Sequence, residues 1–521
     1  MVDDKIVDFF LENGFVITPE TLIYLRNENS KNRENLIKSA IYRAKSLAER
    51  PLVITKEFLL EQTDRNLQTK KSLEVSQAQQ IRENKKDEVK DRHLSSKKVS
   101  KFKAKDVEPI IEIMIDPTGN LIGTGEINNV HKYFLDRFMA LQNLLQKRPD
   151  SKGAITIDQV FNYTDKVKVI GMVKDKKESE DKVNKGIYNY SIELEDLHGT
   201  IRVFIPGSVE NLSIIGSCIM LDQVICVEGV LKNGQIIAEN IYFPDIPEKQ
   251  HFSGISDPIC AALISDLHFG SKKFMADNFI NFIEWLQGKV GSEKQRELAR
   301  RVKYVLIAGD LIDGVGVYPE HEKNLSIVDI KGQYELAAEY LSQIPEHISI
   351  IIIPGGAHDA VRKALPQEAI PRSYARPLYD LENTIMLGNP SFFKVHGMKT
   401  LMYHGEGIDD IVLSIPKMSY STNELAMIEL LKSRHLAPIY GKKVGISPEP
   451  YDWLVIRDVP DLFLCGHTHV TRTAKYKGVN LINCGTFQAE TEYQQSLGIK
   501  PTPGIVPIID ISNYSIKLKK F

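Results

Sequence analysis

Carboxylate and imidazole side chains follow short apolar runs in the second half of the chain. Asp266 and His268 come directly after one such run, AALIS, and stand two residues apart. On an extended segment this spacing directs both side chains to one side, where an oxygen and a nitrogen can face one metal ion. A single D-x-H is also common at ordinary strand ends, so the pattern is informative only where it recurs.

The pattern recurs at four later places in the chain. Each of these apolar runs ends in glycine, histidine or aspartate, and the residues concerned are Asp310 with Asp313, His358 with Asp359, His404, and His467 with His469. Runs bounded in this way are typical of buried strands. Open α/β sheets bind ligands just beyond the carboxyl ends of their strands, so the five ends predict one shared crevice. A chance collection of buried histidine and aspartate is the weaker alternative.

Length and composition predict a multidomain protein with no membrane segment. The chain has 521 residues, which suggests about two to four domains. A net charge of -2 argues against a surface that binds nucleic acid everywhere, but it permits a local basic groove. No apolar run is long enough to span a bilayer and the N-terminus does not look secretory, so we expect a cytoplasmic protein. The five cysteines form no C-x-x-C pair, and four of them are predicted to be buried thiols.

Hydrophobic periodicity divides the chain into four predicted segments. These are a helical N-terminal domain at 1–62, a charged flexible linker at 63–106, a barrel domain with a preceding strand and helix at 107–250, and an α/β domain at 251–521. Five short strands with a helical insert after the third predict an OB-fold barrel in the third segment. Helices are predicted at 272–286, 332–342 and 423–434, between the strands of the fourth.

Two of these segments carry patterns with alternative interpretations. The spacing of Asp3, Ile6, Phe9 and Phe10 fits a sliding-clamp-binding peptide without its leading glutamine, but the core face of an amphipathic helix is the preferred interpretation. An OB barrel can bind single-stranded DNA by stacking bases on aromatic rings. Tyr188 and Tyr190 are the only clear aromatic pair on the strands, so a barrel that serves for packing is an equal alternative.

The motifs, taken in order, resemble those of the calcineurin-like metallophosphoesterases. That order is D-x-H, G-D-x-x-D, H-D after a glycine turn, H-G and G-H-T-H. The segments HDAVR at 358–362, RHLAPIYG at 434–441 and IKPTPG at 499–504 are similar to the small subunits of archaeal family D DNA polymerases. That family joins a helical region, a linker, an OB domain and a phosphoesterase domain, so the resemblance covers the whole chain. It implies a multidomain α+β fold.

The resemblance also implies a site for two divalent cations. The first would bind Asp266, His268, Asp310 and His469, and the second would bind Asp310, His404 and His467. Two cations about 3.5–4 Å apart can clamp the attacking and leaving oxygens of an in-line displacement. Histidine and aspartate ligands suit several first-row metals. The resemblance favours Mn²⁺ over Fe²⁺, Zn²⁺ or Mg²⁺.

Three further residues are expected to contribute beside the metals. In the family pattern, the position of His358 is that of a general acid or phosphate contact. Asp313 is expected either to hydrogen-bond His358 and fix its tautomer or to begin a helix. Arg362 is expected to contact a substrate phosphate or to pair with a carboxylate.

Ala357 departs from the family pattern, which has a metal-binding asparagine at this position. Alanine supplies no ligand atom, whether the change is natural or engineered. Asn389, a later asparagine between a glycine and a proline, is predicted to be a turn residue. The second metal site is therefore expected to lack one ligand, and nuclease activity is expected to be reduced.

The resemblance implies a proofreading subunit in archaeal DNA replication. Such a subunit is a 3′–5′ exonuclease that acts on single-stranded primer 3′ ends and holds a large catalytic polymerase subunit, with a sliding clamp as a further candidate partner. Nothing in the chain resembles a nucleotidyltransferase palm, so polymerisation would need another polypeptide. The alternatives are a non-catalytic assembly subunit and a stand-alone repair nuclease or phosphodiesterase. Six of the seven expected ligands are present, which favours a catalytic lineage.

Overall fold

A computed structural model of the chain describes residues 103–163, 165–181, 186–249 and 257–521, together with scattered positions among the first 54. The chain divides into two compact units, Met1–Ser100 and Lys101–Phe521. Each unit has a hydrophobic core of its own.

The first unit contains a short parallel pair of strands, β1 (Val16–Ile17) and β2 (Val53–Ile54). Ile6 and Phe10 are buried in its core, which agrees with the face of an amphipathic helix rather than with a clamp-binding peptide. The remaining two positions of that pattern, 3 and 9, lie outside the described residues. So do most of the helical segment predicted at 1–62 and of the linker predicted at 63–106.

The described end of the predicted linker is attached to the larger unit. Ala104–Asp106 forms a turn of 3₁₀ helix, and the main-chain N–H of Ala104 donates to the carbonyl of Arg300 at 2.8 Å. The side chain of Ala104 is fully buried. Residues 104–106, which the sequence assigns to the flexible linker, are therefore attached to the larger unit, because a small apolar side chain and a main-chain N–H find partners there.

The larger unit is built from short strands and helices. Its strands are β3 (Ile111–Ile115), β4 (Lys166–Glu180), β5 (Tyr188–Glu195), β6 (Thr200–Ile205), β7 (Val224–Lys232), β8 (Gln235–Tyr242), β9 (Cys260–Ile264), β10 (Val302–Ala308), β11 (Ser349–Ile353), β12 (Thr384–Met386), β13 (Ser391–Val395), β14 (Met398–Met402), β15 (Leu462–Cys465), β16 (Arg472–Tyr476), β17 (Val479–Asn483), β18 (Ile505–Asp510) and β19 (Ile516–Lys520). Its α-helices are α1 (Ile127–Gln146), α2 (Glu210–Cys218), α3 (Ala276–Leu286), α4 (Glu293–Ala299), α5 (Ile330–Leu341), α6 (Arg372–Tyr379), α7 (Gly407–Ser414), α8 (Asn423–Ser433) and α9 (Glu492–Ser496). The three predicted helices of the α/β segment are α3, α5 and α8, with small shifts at their ends. Among the described residues, no helix has the length and apolar character to cross a membrane.

Strands β4 to β8 close into the predicted five-stranded barrel, in the order β4-β5-β6-β8-β7. Helix α2 lies between β6 and β7, where the sequence predicts an insert. Buried side chains such as Val169, Ile192 and Val203 fill the interior. The tight turn between β7 and β8 places Asn233 and Gly234 at φ values of 50° and 74°, as a two-residue Asn-Gly hairpin requires.

The barrel does not present the aromatic pair that the sequence predicts. Tyr188 is 42% exposed, but Tyr190 is only 5% exposed and belongs to the barrel core. Helix α2 covers Tyr190, since a Cβ added at Gly216 would lie 2.5 Å from its ring. Exposed rings lie instead on the segment before β4, at Phe161 and Tyr163.

Two six-stranded sheets form the rest of the larger unit. Their strand orders are β12-β11-β10-β9-β18-β19 and β16-β17-β15-β14-β13-β3. Leu263 and Leu306 of the first sheet share a core with Phe393 and Leu464 of the second, so the sheets pack face to face. Helices α3, α5 and α6 cover the outer face of the first sheet, and α7 and α8 cover that of the second. The result is a four-layer α/β/β/α arrangement.

Strand β3 lies in a different place from the one that the sequence predicts. The segment 107–250 was expected to add this strand to the barrel domain, but β3 pairs antiparallel with β13 and forms an edge of the second sheet. The N–H of Ile110 donates to the hydroxyl of Tyr304 at 2.9 Å and fixes the entry of the strand. The partner of a strand depends on distant tertiary contacts, which its own sequence does not encode.

Helix α1 packs against the barrel and also carries a buried ion pair. Phe138 and Leu141 contact barrel residues such as Met172. The Nε of Arg137 lies 2.9 Å from Oδ2 of Asp452, and both side chains are fully buried. Because an unpaired buried charge is costly, this pair ties α1 firmly to the loop before β15.

Candidate metal centre

Carboxyl ends of strands from both sheets meet at one place. The sequence-predicted residues follow β9, β10 and β11 of the first sheet and β14 and β15 of the second. Six of them are close enough for their nitrogen or oxygen atoms to share metal ions in overlapping groups of three, and these are Asp266, His268, Asp310, His358, His404 and His469. The predicted convergence of strand ends is therefore present in the structure.

The first group surrounds His268 and His469. Their Nε2 atoms lie 3.2 Å apart. His469 Nε2 also lies 3.2 Å from Oδ1 of Asp266, and His268 Nε2 lies 3.8 Å from Oδ2 of Asp310. All four side chains are buried, so their ligand atoms face a small common space that bulk water hardly reaches.

The second group surrounds His404. Its Nε2 lies 3.4 Å from Oδ2 of Asp310, while its Nδ1 lies 2.8 Å from the carbonyl of Ala308. Since a carbonyl only accepts, Nδ1 carries the hydrogen and the Nε2 lone pair faces Asp310. The ring of His467 lies 5.2 Å from that of His404 between centroids. Its Nε2 lies 3.1 Å from Oδ1 of Asp409, so Nδ1 is the nitrogen left to bind a metal.

Unpartnered buried atoms show that the donor set fits divalent cations. Asp266 Oδ1, Asp310 Oδ1 and His404 Nε2 form no hydrogen bond of proper geometry, although the first lies 3.2 Å from His469 Nε2 and the last lies 3.4 Å from Asp310 Oδ2. Buried polar atoms of this kind are rare in folded proteins, and three at one place indicate a positively charged partner. Carboxylate oxygens combined with imidazole nitrogens suit manganese, iron or zinc.

The electrostatics of the site also favour positive charge. Burial alone would lower the pKa of His268, but the carboxylate of Asp313 raises it to about 9. The pKa of His404 is likewise raised well above its usual range, because Asp310 outweighs burial. Burial alone would raise the pKa of Asp313, yet His268 lowers it to about 2. Metal ions and protons therefore compete for the same histidine nitrogens.

The backbone at the site is strained in one consistent way. Five residues have φ between 48° and 69°, namely Asp266, His268, Asp310, His467 and His469. The prediction that the D-x-H pair shares a side because its segment is extended is wrong, because β9 ends before it and both residues turn left-handed. Left-handed backbone at residues other than glycine costs roughly 1–3 kcal/mol each and is concentrated at ligand clamps.

Main-chain hydrogen bonds and close glycine packing hold this geometry. The N–H of Asp266 donates to Gly309 O at 3.0 Å, and that of His268 donates to Asp310 O at 3.1 Å. A Cβ on Gly309 would lie 2.4 Å from Nδ1 of His404. Glycine at this position therefore lets the loop after β10 approach the histidine ring.

Asp313 hydrogen-bonds His358, as predicted, but through its main chain rather than through its carboxylate. The Nδ1 of His358 donates to the main-chain carbonyl of Asp313 at 2.7 Å. The Asp313 carboxylate lies instead 2.9 Å from His268 Nδ1, 3.2 Å from His321 Nε2 and 3.1 Å from Gln488 Nε2. The main-chain carbonyl of Asp313 thus fixes the tautomer of His358. The Asp313 carboxylate positions His268, one of the predicted metal ligands. Asp313 does not begin a helix.

Arg362 and Asn389 lie just outside the cluster. Both terminal nitrogens of Arg362 lie 3.0 Å from Oε1 of Glu449, so the structure shows the carboxylate pairing of the two alternatives. The arginine side chain remains 34% exposed. Asn389 is fully buried, and its Oδ1 accepts the N–H of His404 at 3.1 Å. It supports the strand end rather than supplying a turn alone.

Sequence reasoning missed three residues that contact the predicted ligands or border their loops. His321 is fully buried against Asp313, Asp409 holds His467, and Glu406 contacts the loop that contains Ala357. No spacing rule identifies His321, which reaches the site across an irregular loop. Asp409 stands in the first turn of α7, where an acidic residue is ordinarily explained by the helix dipole.

Comparison with known proteins identifies relatives of the chain. Residues 261–473 match the family of B subunits of DNA polymerases alpha and epsilon. The DNA polymerase II small subunit of Methanothermobacter thermautotrophicus is 42% identical over 399 residues, which are 77% of this chain and 81% of that protein. The Pyrococcus furiosus protein of the same name is 41% identical over 387 residues, which are 74% of this chain and 62% of the relative. A solved archaeal phosphodiesterase is matched over its whole length and 50% of this chain, at 15% identity and a TM-score of 0.27. By its close and extensive similarity to the first of these relatives, the chain belongs to the family of archaeal DNA polymerase II small subunits.

Proposed function

We propose that the chain is the proofreading subunit of an archaeal family D DNA polymerase, a metal-dependent 3′–5′ exonuclease that also holds the large polymerase subunit. The buried cluster at the junction of the two sheets carries this proposal. Its carboxylate and imidazole atoms face one another across 3.2–3.8 Å, and three of them have no hydrogen-bond partner. A protein that used this fold only for assembly would have no need to keep such atoms buried.

The proposed sites share Asp310. Its Oδ2 lies within 4 Å of Nε2 of both His268 and His404, so one carboxylate can serve both cations. Asp266 and His469 complete the first site, and His467 would contribute Nδ1 to the second. When bound, a pair of divalent cations, with Mn²⁺ proposed, stabilises the attacking and leaving oxygens of an in-line phosphodiester displacement.

His358 is proposed to contact the scissile phosphate or the departing 3′ oxygen. Its ring packs edge-on against that of His268, with centroids 4.7 Å apart, and its Nδ1 hydrogen is fixed on the Asp313 carbonyl. Nε2 is therefore the atom available to substrate. Burial lowers the pKa of His358. A bound phosphate would favour the protonated ring, which can then donate a hydrogen bond or a proton from Nε2.

Ala357 is proposed to reduce the activity. It lies in the loop after β11, and it offers no oxygen at the position of the family's asparagine. Loss of one ligand affects the second cation first, because the four residues of the first site are unchanged. Arg362, with its partly exposed side chain, remains a candidate contact for a neighbouring phosphate.

A primer-degradation assay tests the proposal. A 5′-labelled DNA primer with a mismatched, single-stranded 3′ end is incubated with the full chain and Mn²⁺. Stepwise shortening with release of mononucleotides, abolished by a chelator, supports the exonuclease. Absence of degradation by the chain and by Ala357→Asn would leave the non-catalytic assembly subunit as the better account.

Native size measurement tests the partner. We expect the chain to co-purify with a larger polypeptide that has polymerase activity. Within that complex, we expect the primer 3′ end to move from the polymerase site to the nuclease site. If only free monomer is found in native extracts, a stand-alone repair nuclease or phosphodiesterase becomes the better explanation. The sliding clamp is the weaker candidate partner, since Ile6 and Phe10 are already buried within the first unit.

A further inference from the structure

The Glu406 carboxylate is held by the two loops that carry the atoms proposed for the second cation, although it lies outside the groups of ligand atoms that already face one another within 4.8 Å. Glu406 follows His404 by two residues and is 9% exposed. Among the described residues, no lysine, arginine or histidine forms an ion pair with it, whereas buried Glu449 pairs with Arg362. Burying an ionised carboxylate is costly unless positive charge or a full set of donors satisfies it.

Hydrogen bonds hold this carboxylate against the loop in which the family's ligand is missing. Oε1 accepts the N–H of Gly356 at 3.2 Å and Nδ2 of Asn389 at 3.0 Å, and Oε2 accepts the N–H of Gly405 at 3.2 Å. A carboxylate has about four lone-pair positions, so one position on Oε2 is left. Gly356 directly precedes Ala357 in the chain.

The same two glycines border the unpartnered ligand atoms. A Cβ on Gly356 would lie 3.3 Å from Asp310 Oδ1 and 3.6 Å from His404 Nε2, both of which lack hydrogen-bond partners. A Cβ on Gly405 would lie 3.1 Å from the Cβ of His467. Glu406 is thus attached to both loops that surround the atoms proposed for the second cation.

We infer that Glu406 supplies an oxygen to the second cation in place of the amide that is missing at Ala357. The inference rests on the proposed two-cation site and defines its ligand chemistry more closely. It replaces a neutral donor with a charged one, so the second cation is held by charge from Asp310 and Glu406 together. Occupancy of the site and turnover can then differ, because a cation drawn toward Glu406 does not sit where an amide at 357 would place it.

Manganese binding without DNA tests the inference separately from nuclease activity. The full chain is stripped with chelator, and Mn²⁺ binding is measured by titration calorimetry, with electron paramagnetic resonance to detect paired ions. We expect two ions per chain. Glu406→Gln should weaken the second ion about tenfold or more, leave the first unchanged and remove the paired-ion signal.

Glu429→Gln is the matched control, because Glu429 is also a buried glutamate of the same unit but pairs with Lys432 on α8. This variant should bind both ions as the unmodified chain does. If Glu406→Gln does not fold in chelator, Glu406→Asp, which keeps the charge but withdraws the carboxylate, is measured with the same expectation.

The outcomes separate the two proposals. Two ions bound with unchanged constants in the Glu406 variant overturn the inference, and so does a single ion in the unmodified chain. Two ions that depend on Glu406, in a chain that degrades no DNA even after Ala357→Asn, uphold the inference and defeat the proposed nuclease.

Discussion

In the presence of chelator, the stability of the larger unit is expected to fall as the pH rises from 6.5 to 9. Asp313 lies 2.9 Å from His268 Nδ1 and raises the pKa of that histidine from 6.5 to about 9. A group whose pKa is raised by folding stabilises the folded state while it stays protonated. The stabilisation is therefore complete below pH 6.5 and lost by about pH 9. Burial raises the pKa of Asp359 to about 7. Its contribution to stability therefore also falls as the pH rises, but this loss is complete soon after pH 7.

The expected loss can be estimated from the shift of His268. One pKa unit corresponds to about 1.4 kcal/mol, so a rise from 6.5 to about 9 is worth roughly 3–4 kcal/mol at most from His268 alone. The lowered pKa of Asp313 describes the same attraction and is not added. Asp310 and Asp266 also raise the pKa of His268, so Asp313→Asn should remove only part of the effect, roughly half.

Tryptophan fluorescence provides a selective assay. The two tryptophans of the chain, Trp285 and Trp453, both lie in the Lys101–Phe521 unit, so urea unfolding followed by fluorescence reports that unit alone. The free energy of unfolding is compared at pH 6.5 and 9 in chelator for the unmodified chain and for Asp313→Asn. Asp380→Asn, on the surface, is the control. Equal losses in all three proteins would refute the role of the His268–Asp313 pair.

Three further predictions concern the second metal, the substrate contact and α1. Ala357→Asn should raise the exonuclease rate with Mn²⁺ about tenfold or more, equivalent to ~1.4 kcal/mol of barrier, and should leave the melting temperature in chelator unchanged. Strong and equal activity of the unmodified chain and of Ala357→Asn would show that the missing amide does not matter. His358→Ala should slow degradation roughly 100-fold without weakening Mn²⁺ binding, and a parallel loss of affinity would make His358 a ligand instead. Arg137→Met should cost about 3–5 kcal/mol of unfolding free energy, because it leaves Asp452 buried without its arginine; a change below ~1 kcal/mol would show that the pair contributes little.

The location of the site could be predicted from sequence because it depends on strand ends. Each apolar run predicts a buried strand, and the carboxyl ends of parallel strands must lie on one edge of their sheet. Asp266 and Asp310 therefore converge as expected, whereas His404 follows a strand of the second sheet and meets them because the two sheets pack face to face. The barrel was predictable for a related reason, since its five strands and the Asn233 turn are local patterns.

Features that depend on tertiary contacts could not be predicted in the same way. The D-x-H pair shares a side through left-handed turns that hydrogen bonds from the neighbouring strand end impose. Tyr190 shares the alternating apolar face of β5 with Ile192, and only the folded chain shows that α2 covers it there. The carboxylate of Asp313 contacts His268 and His321 rather than His358. The contact with His321 depends on an irregular loop that brings this histidine within reach. Glu406 carries no motif, and only the folded chain places it beside Ala357.

The central claim is that the cluster around Asp310 catalyses metal-dependent removal of nucleotides from a DNA 3′ end. The most direct measurement is the single-turnover rate of nucleotide release from a mismatched primer with Mn²⁺, made in the Ala357→Asn background with and without Asp310→Asn. We expect loss of the shared carboxylate to lower this rate about a thousandfold, or ~4 kcal/mol of barrier. An undiminished rate in the Asp310→Asn protein would contradict the claim.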